Sequence, residues 1–291
     1  MSREFFEDAY RKYWDKQESN SSRVIELCDY KLCDEIRQVK WYVMADSMVE
    51  DELREATNLM NSWRMKLLQW EGWLDVLDEY GEDEGWQIGS HFVESIAYFC
   101  MFQPSAARDR IARIATNSIH QANLSIDKSY VDRLDGDDQK SRGRFSRVNI
   151  EKQLERIGSR WSNASELLPA LKRLDADEYR KKTVDWRNRA SHFFAPRFEV
   201  GHVQMVTRSM VPRSFLVEQP DGTFVVEFDP ERTCVSYGFG GIPPLSLRET
   251  YSANFEQFEL ALQVHTIYQK LIQEFLRELP KSNDTSESQK R

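Results

Sequence analysis

The sequence predicts a mainly α protein, an up-and-down helical bundle with a small β-hairpin insertion before its last long helix. Three observations predict this fold. Apolar residues recur at three- and four-residue spacing over most of the chain. A stretch rich in β-formers interrupts that spacing at about 197–246, and helical spacing then resumes at Leu247. With 291 residues, 40% of them hydrophobic, and eight Trp, eleven Tyr and sixteen Phe, the chain has ample apolar area for a full core.

The elements follow in order. From Ser2 to about Ser19, Phe6, Tyr10, Tyr13 and Trp14 share a helical face, which makes residues 1–21 an N-terminal helix. Ser19-Asn20-Ser21-Ser22 offers a cap for a second helix reaching about Ala45, with Val24, Leu27, Cys28, Leu32 and Val39 inward. A third helix, about Val49 to Tyr80, has Leu53, Leu59, Trp63, Leu67, Trp70, Leu74 and Leu77 along its stripe and Gly72 as a candidate interruption. The Trp-rich stripe reads as core rather than a ligand cage. Gly81–Gly85 reads as a loop, followed by a helix from Ser90 to Phe102. Pro104 suits the first turn of a further helix to about Leu124. Asp132–Arg147, with Gly136, Gly143 and dense charge, reads as a mobile loop. Helices resume from Asn149 to Leu174, with a break or kink at Ser162 or Pro169, and from Asp177 to Phe194, ending before Pro196.

Phe198–Val206 and Ser214–Phe228 are rich in β-formers, and Pro220-Asp221-Gly222 is the expected turn of a hairpin. Gly238–Pro244 reads as a loop. The last helix runs from about Leu247 to Leu279, with Phe255, Phe258, Leu262, Ile267, Leu271 and Phe275 as its apolar candidates, and the polar tail 280–291 reads as disordered. The main domain is thus 22–279, with the β insertion at about 197–246.

Composition narrows the function classes. The N-terminus carries early acidic residues without a long apolar run, so it is not read as a secretory signal, and no apolar stretch approaches membrane-spanning length. A cytoplasmic protein without a membrane partner is expected. Cys28, Cys33, Cys100 and Cys234 show no zinc-type spacing and read as reduced, packed thiols; no metal or cofactor is expected. The net charge of −8 is unevenly distributed. Residues 1–85 hold 21 acidic and 11 basic residues, whereas 136–213 hold ten acidic and 17 basic. That central block is either a polyanion-binding patch or a basic solvated surface.

The chemistry-bearing stretch lies in this block: Trp186-Arg187-Asn188-Arg189-Ala190-Ser191-His192-Phe193. On a helix, Trp186, Ala190 and Phe193 form the inward face. Asn188 and His192, four apart, point together to another side, with Arg187 flanking them. The structural alternative makes His192 a helix-terminal histidine opposing the macrodipole, with Arg187 paired to Asp185 or Glu178. Two other Arg-x(4–6)-His matches, Arg113 to His120 and Arg197 to His202, lack a polar residue after the Arg and read as structural.

Arg187-Asn188-x-x-x-His192 resembles the motif of HEPN (higher eukaryote and prokaryote nucleotide-binding) ribonucleases, in which Arg is followed by a polar residue and then His. The helical context is similar as well, over roughly residues 22–279. The resemblance implies a metal-independent endoribonuclease acting on RNA as a homodimer, with two motifs facing each other across a two-fold axis. It also suggests a defence or toxin setting with a regulatory partner. Phe194 departs from the branch that carries a modifiable Tyr at that position, so control by that modification is not implied.

RNA carries its own nucleophile, the 2′-hydroxyl. An imidazole can move the proton, a guanidinium can clamp the phosphate in bidentate fashion, and an amide can orient either group. His192, Arg187 and Asn188 take those roles, with Lys181, Lys182 and Arg189 attracting the RNA backbone. The alternatives are a non-catalytic HEPN-type module binding RNA or nucleotide, and a helical partner-binding protein that uses the acidic N-terminal half.

Overall fold

The computed structural model describes residues 2–19, 26–135, 137 and 146–281. Two compact units emerge, one comprising Met1–Arg187 with Leu247–Arg291, the other Asn188–Ser246. The first is helical. It contains α1 (Arg3–Ser19), α2 (Lys31–Ile36), α3 (Ala45–Leu77), α4 (Glu82–Ile88), a π-helical segment (Gly89–Val93), α5 (Glu94–Ile126), α6 (Arg147–Gly158), α7 (Ser162–Arg173), α8 (Asp177–Lys182), the start of α9 (Trp186–His192) and α10 (Leu247–Glu278). Among the described residues no helix is long and apolar enough to cross a membrane.

The long helices α3, α5 and α10 supply most of the core. Trp63, Leu67 and Trp70 of α3 are fully buried, as their stripe predicts. The indole N–H of Trp63 donates to Asn254 Oδ1 of α10 at 2.9 Å. Asn254 in turn donates through Nδ2 to the Cys100 carbonyl at 2.9 Å and to the Tyr179 hydroxyl at 3.1 Å. This amide explains why α5 runs unbroken where a new helix is expected after Phe102. Pro104 has no N–H to give the Cys100 carbonyl, and Asn254 satisfies that carbonyl from across the core.

Gly72 does not interrupt α3. A Cβ there would meet Gln17 and Tyr13 of α1, so glycine permits the close approach of the two helices. Tyr13 stacks on Trp73 at 4.6 Å, and Trp73 on Phe92 at 4.4 Å, while Tyr10 and Trp14 stay half exposed.

The expected helix up to Ala45 is replaced by irregular chain at 26–30 and the short α2. Asn61 of α3 holds the Cys28 backbone through both its amide atoms, at 2.8 and 3.0 Å, which takes that peptide out of helical pairing. Leu27, expected inward, is exposed. The cap residues Asn20, Ser21 and Ser22, together with Val24, Gly136, Gly143 and the tail from residue 282, lie outside the described residues. The Gly81–Gly85 segment forms the start of α4 rather than a loop, with three acids in its first turn favoured by the helix dipole.

Two polar clusters join α5–α8 and α10. Asp175, buried and in the left-handed backbone region (φ 52°), accepts from Arg147 at 3.0 Å and Arg180 at 2.8 Å, and its N–H donates to Gln257 at 2.8 Å. Glu274 of α10 caps α7, accepting from the backbone N–H groups of Ser162 and Asn163 at 2.8 and 3.0 Å and from both their side chains. Burial pushes the Glu274 carboxyl up, but these donors outweigh it and hold it below the usual range. Because α7 has no cap from its own N-cap residue, Glu274→Ala is expected to destabilise the protein by about 1–2 kcal/mol in urea unfolding, with Glu274→Gln recovering part of the loss.

The second unit contains an antiparallel ribbon of β1 (Val203–Glu218) and β2 (Phe224–Ile242). The Pro-Asp-Gly turn closes it: Gly222 adopts φ 81°, its N–H donates to the Gln219 carbonyl at 2.9 Å, and Asp221 accepts from the Thr223 N–H and hydroxyl. The ribbon is longer than the expected hairpin, because Gly238, Gly240 and Gly241 pair with Thr207, Met205 and Gln204 instead of forming a loop. A bulge separates the Pro212–Thr233 and Arg213–Asp229 pairs.

Candidate functional site

The expected helix from Asp177 to Phe194 is divided. Val184 and Asp185, both at positive φ, form a turn between α8 and α9. The turn lets Trp186 reverse into the helical body, where it is fully buried with its ring edge-to-face against Tyr98 at 4.7 Å and Phe102 at 5.2 Å. That burial outweighs the strain of a β-branched residue at positive φ.

The boundary between the two units falls within α9, after Arg187. Arg187 is half-buried, and Asn188 and His192 are exposed. Asn188 and His192 stand one turn apart and share a face of α9. Arg187 leaves the helix about 140° around from His192 at 100° per residue. Arg187 belongs to the first unit, and Asn188 and His192 to the second. Phe193 was expected on the inward face with Trp186 and Ala190. It is 59% exposed, because α9 ends at His192 and Phe193 leaves the helical stripe; Ala190 is half-buried.

Among the basic candidates, Lys181 is exposed and Arg189 half-buried. Lys182 lies 3.1 Å from Glu256 and 3.5 Å from Glu178, and the hydrogen bond with Glu256 raises its pKa. Its charge is thus partly offset. Of the other motif matches, His120 is buried, with Nδ1 3.1 Å from the Tyr130 hydroxyl and Nε2 3.0 Å from Asp132. It is a packed histidine. Cys33 and Cys100 are buried, and burial raises both thiols. Among the described residues no group of three or more His, Cys, Asp or Glu could hold a metal ion.

Two groups of the helical unit, at positions that the sequence reading did not single out, titrate far from their usual values. Glu52 of α3 is pushed up to about 7 by burial, although Asn117 donates to it at 2.6 Å; its second oxygen is buried without a hydrogen-bond partner among the described residues. Burial lowers His265 of α10 to about 4, with its Nε2 3.2 Å from the Thr57 hydroxyl. The helical spacing around Leu53 and Val264 could have placed both on the flanks of apolar stripes, but spacing does not reveal desolvation.

The two shifts act in opposite directions. Between pH 4.5 and 7 the folded chain holds the Glu52 proton more tightly than the unfolded chain, so this group makes stability fall as pH rises. Between pH 4 and 6.5 the unfolded chain protonates His265 more readily, so this group makes stability rise with pH. Each carries up to about 3 kcal/mol. Glu52→Gln is expected to raise the melting temperature by several degrees at pH 8 and to change it little at pH 4.5. An equal change at both values would remove ionisation as the cause.

Comparison of the chain with protein-family models, with curated proteins and with solved structures finds no match. The functional reading rests on the residues of this chain.

Proposed function

We propose that the chain is a metal-independent endoribonuclease of HEPN type acting through α9, with His192 as the acid–base group, Arg187 as the phosphate clamp and Asn188 as the positioner. The observation that carries the reading is the exposure of Asn188 and His192 one turn apart on one helix. An exposed polar pair is open to a substrate as large as RNA. Lys181 and Arg189 add attraction to the backbone, with a smaller share from Lys182.

In the proposed reaction the 2′-oxygen attacks phosphorus as its proton passes to an imidazole. The bond from phosphorus to the 5′-oxygen breaks, and that oxygen takes a proton from an imidazolium. The products are a 2′,3′-cyclic phosphate and a 5′-hydroxyl. In this reading a second copy completes the site, as the resemblance implies. The chain then acts as a homodimer in the cytoplasm, in a defence or toxin setting with a regulatory partner.

The test is incubation of the purified chain with mixed RNA in excess chelator, followed by end-group analysis. Cyclic phosphate and 5′-hydroxyl ends are expected. The excess of basic over acidic residues in 136–213 also suits a second reading, a non-catalytic module binding RNA or nucleotide. Salt-sensitive RNA binding without cleavage would favour that module, and absence of both would leave the partner-binding alternative.

A further inference from the structure

We infer that the cleft between residues 26–36 and α10 is a binding site for a small organic polyamine, an alkyl chain bearing ammonium groups. The inference does not rest on the nuclease reading; it comes from the donors and acceptors that line a cavity of the helical unit.

The cavity holds about 440 Å³, within the range of small-molecule sites. One wall is the irregular chain at 26–30 with α2, and the other is α10. The first wall is fixed from behind. Asn61 of α3 binds the Cys28 backbone through both its amide atoms, and the Tyr30 hydroxyl donates to Asn58 at 2.8 Å and accepts from Asn61 at 3.2 Å. A ligand therefore has little of this wall left to order.

The lining is rich in acceptors. Glu26, Asp29 and Glu35 bring three carboxylates against one ammonium, that of Lys31, which leaves a net charge of −2. Lys31 lies 3.6 Å from Asp29 and offsets that charge, whereas Glu26 and Glu35 are in no ion pair among the described residues. The group that points most sharply to a ligand is His265, which is 1% exposed and forms part of the α10 wall. The Thr57 hydroxyl gives its hydrogen to the Leu53 carbonyl at 2.9 Å, so its oxygen accepts from His265 Nε2, 3.2 Å away. Nε2 therefore carries the ring hydrogen, and Nδ1 carries a lone pair. Burial lowers the ring's pKa to about 4, so that lone pair is present at neutral pH. Nδ1 has no hydrogen-bond partner among the described residues. A desolvated acceptor without a donor is costly, and an N–H from a ligand would satisfy it.

Carboxylates alone could also suit a metal ion, but among the described residues no three His, Cys, Asp or Glu groups converge to hold one. Leu27, Leu32 and Leu262 line the same cavity and offer apolar contact to methylene groups. Separate carboxylates, a buried acceptor and apolar contact match ammonium groups spaced along an alkyl chain, since an ammonium group is a donor only.

The test is isothermal titration calorimetry of the full chain with spermidine at low salt. One molecule per chain is expected to bind with a Kd below about 200 µM, and added sodium chloride to weaken it. Glu26→Gln and Glu35→Gln, at exposed positions, are each expected to weaken binding about threefold and together about tenfold, with the melting temperature unchanged. His265→Gln keeps an N–H for Thr57 but leaves nothing at the Nδ1 position, and is expected to weaken spermidine about tenfold or more. His265→Asn restores an oxygen at that position and is expected to recover most of the loss, which a purely structural role of the ring would not produce. Weaker or non-saturating binding overturns the inference, as does unchanged binding in the double variant Glu26→Gln with Glu35→Gln. Equal binding of an uncharged alkanediol of the same length overturns it too. Displacement of spermidine by an equimolar amount of magnesium ion would reassign the cleft to a metal and so overturn it as well.

Discussion

Alanine at His192 is expected to lower RNA cleavage in chelator by about a thousandfold while leaving the melting temperature within a degree of wild type. The first part follows from the proposed role. A positioned imidazole contributes roughly 10²–10⁴-fold to proton transfer, and Asn188, which shares the face of α9 with His192, carries an amide that does not titrate. The second part follows from exposure, since truncating a solvent-facing side chain at the end of a short helix removes little buried contact. Asn188→Ala is expected to cost about tenfold to a hundredfold, as the loss of an orienting hydrogen bond. Arg187→Lys keeps the charge but loses the planar fork, so it should lower kcat more than Arg189→Lys does. Trp186→Ala is the control for position. It leaves all three polar groups present but removes a fully buried indole, so its loss of activity should come with a loss of stability of about 3–5 kcal/mol. Cleavage unchanged in His192→Ala would remove that residue from the mechanism.

Replacing Asp175 by alanine is expected to cost about 3–5 kcal/mol in urea unfolding, among the largest effects at any polar position of this chain. Its carboxylate is buried between Arg147 and Arg180, and Arg147 also reaches Asp109 at 2.6 Å and the Ser105 hydroxyl at 2.8 Å. Burial would push the Asp175 carboxyl up, but the hydrogen bonds from Arg180 and Arg147 more than compensate and hold it below its usual range. Its stabilising contribution is therefore present above the unfolded pKa near 4 and is lost as pH falls through the lower folded value. Removing the carboxylate leaves Arg147, largely desolvated, with one acidic partner fewer. Backbone adds to the cost, because residue 175 sits at φ 52°, which Asp and Asn tolerate and Ala does not. Asp175→Asn separates the two contributions: it keeps the conformation, loses the charge and should cost about half as much. Equal losses for the two substitutions would assign the effect to charge alone.

Helical spacing made the α3 and α10 stripes legible in the sequence. Their periodicity is a local property, and Trp63, Leu67, Trp70, Leu271 and Phe275 are buried where it puts them. The hairpin turn was legible for the same reason, since Pro220-Asp221-Gly222 meets its backbone requirements within five residues. The candidate motif at Arg187, Asn188 and His192 was legible as residue types at helical spacing. The extent of its inward face was not, because Phe193 falls beyond the end of α9. Where helices start and stop depended on partners distant in sequence. Asn254 lets α5 pass through Pro104, Asn61 draws residues 26–30 out of helix, and the burial of Trp186 turns the chain at Val184 and Asp185. The sequence by itself thus determined the helical class, the core stripes, the turn and the chemistry available on α9, all consequences of residues within a few positions of one another. Only the tertiary structure decided which backbone groups found partners across the core and which carboxylates lost their water, because hydrogen-bond satisfaction and desolvation depend on neighbours brought together by folding.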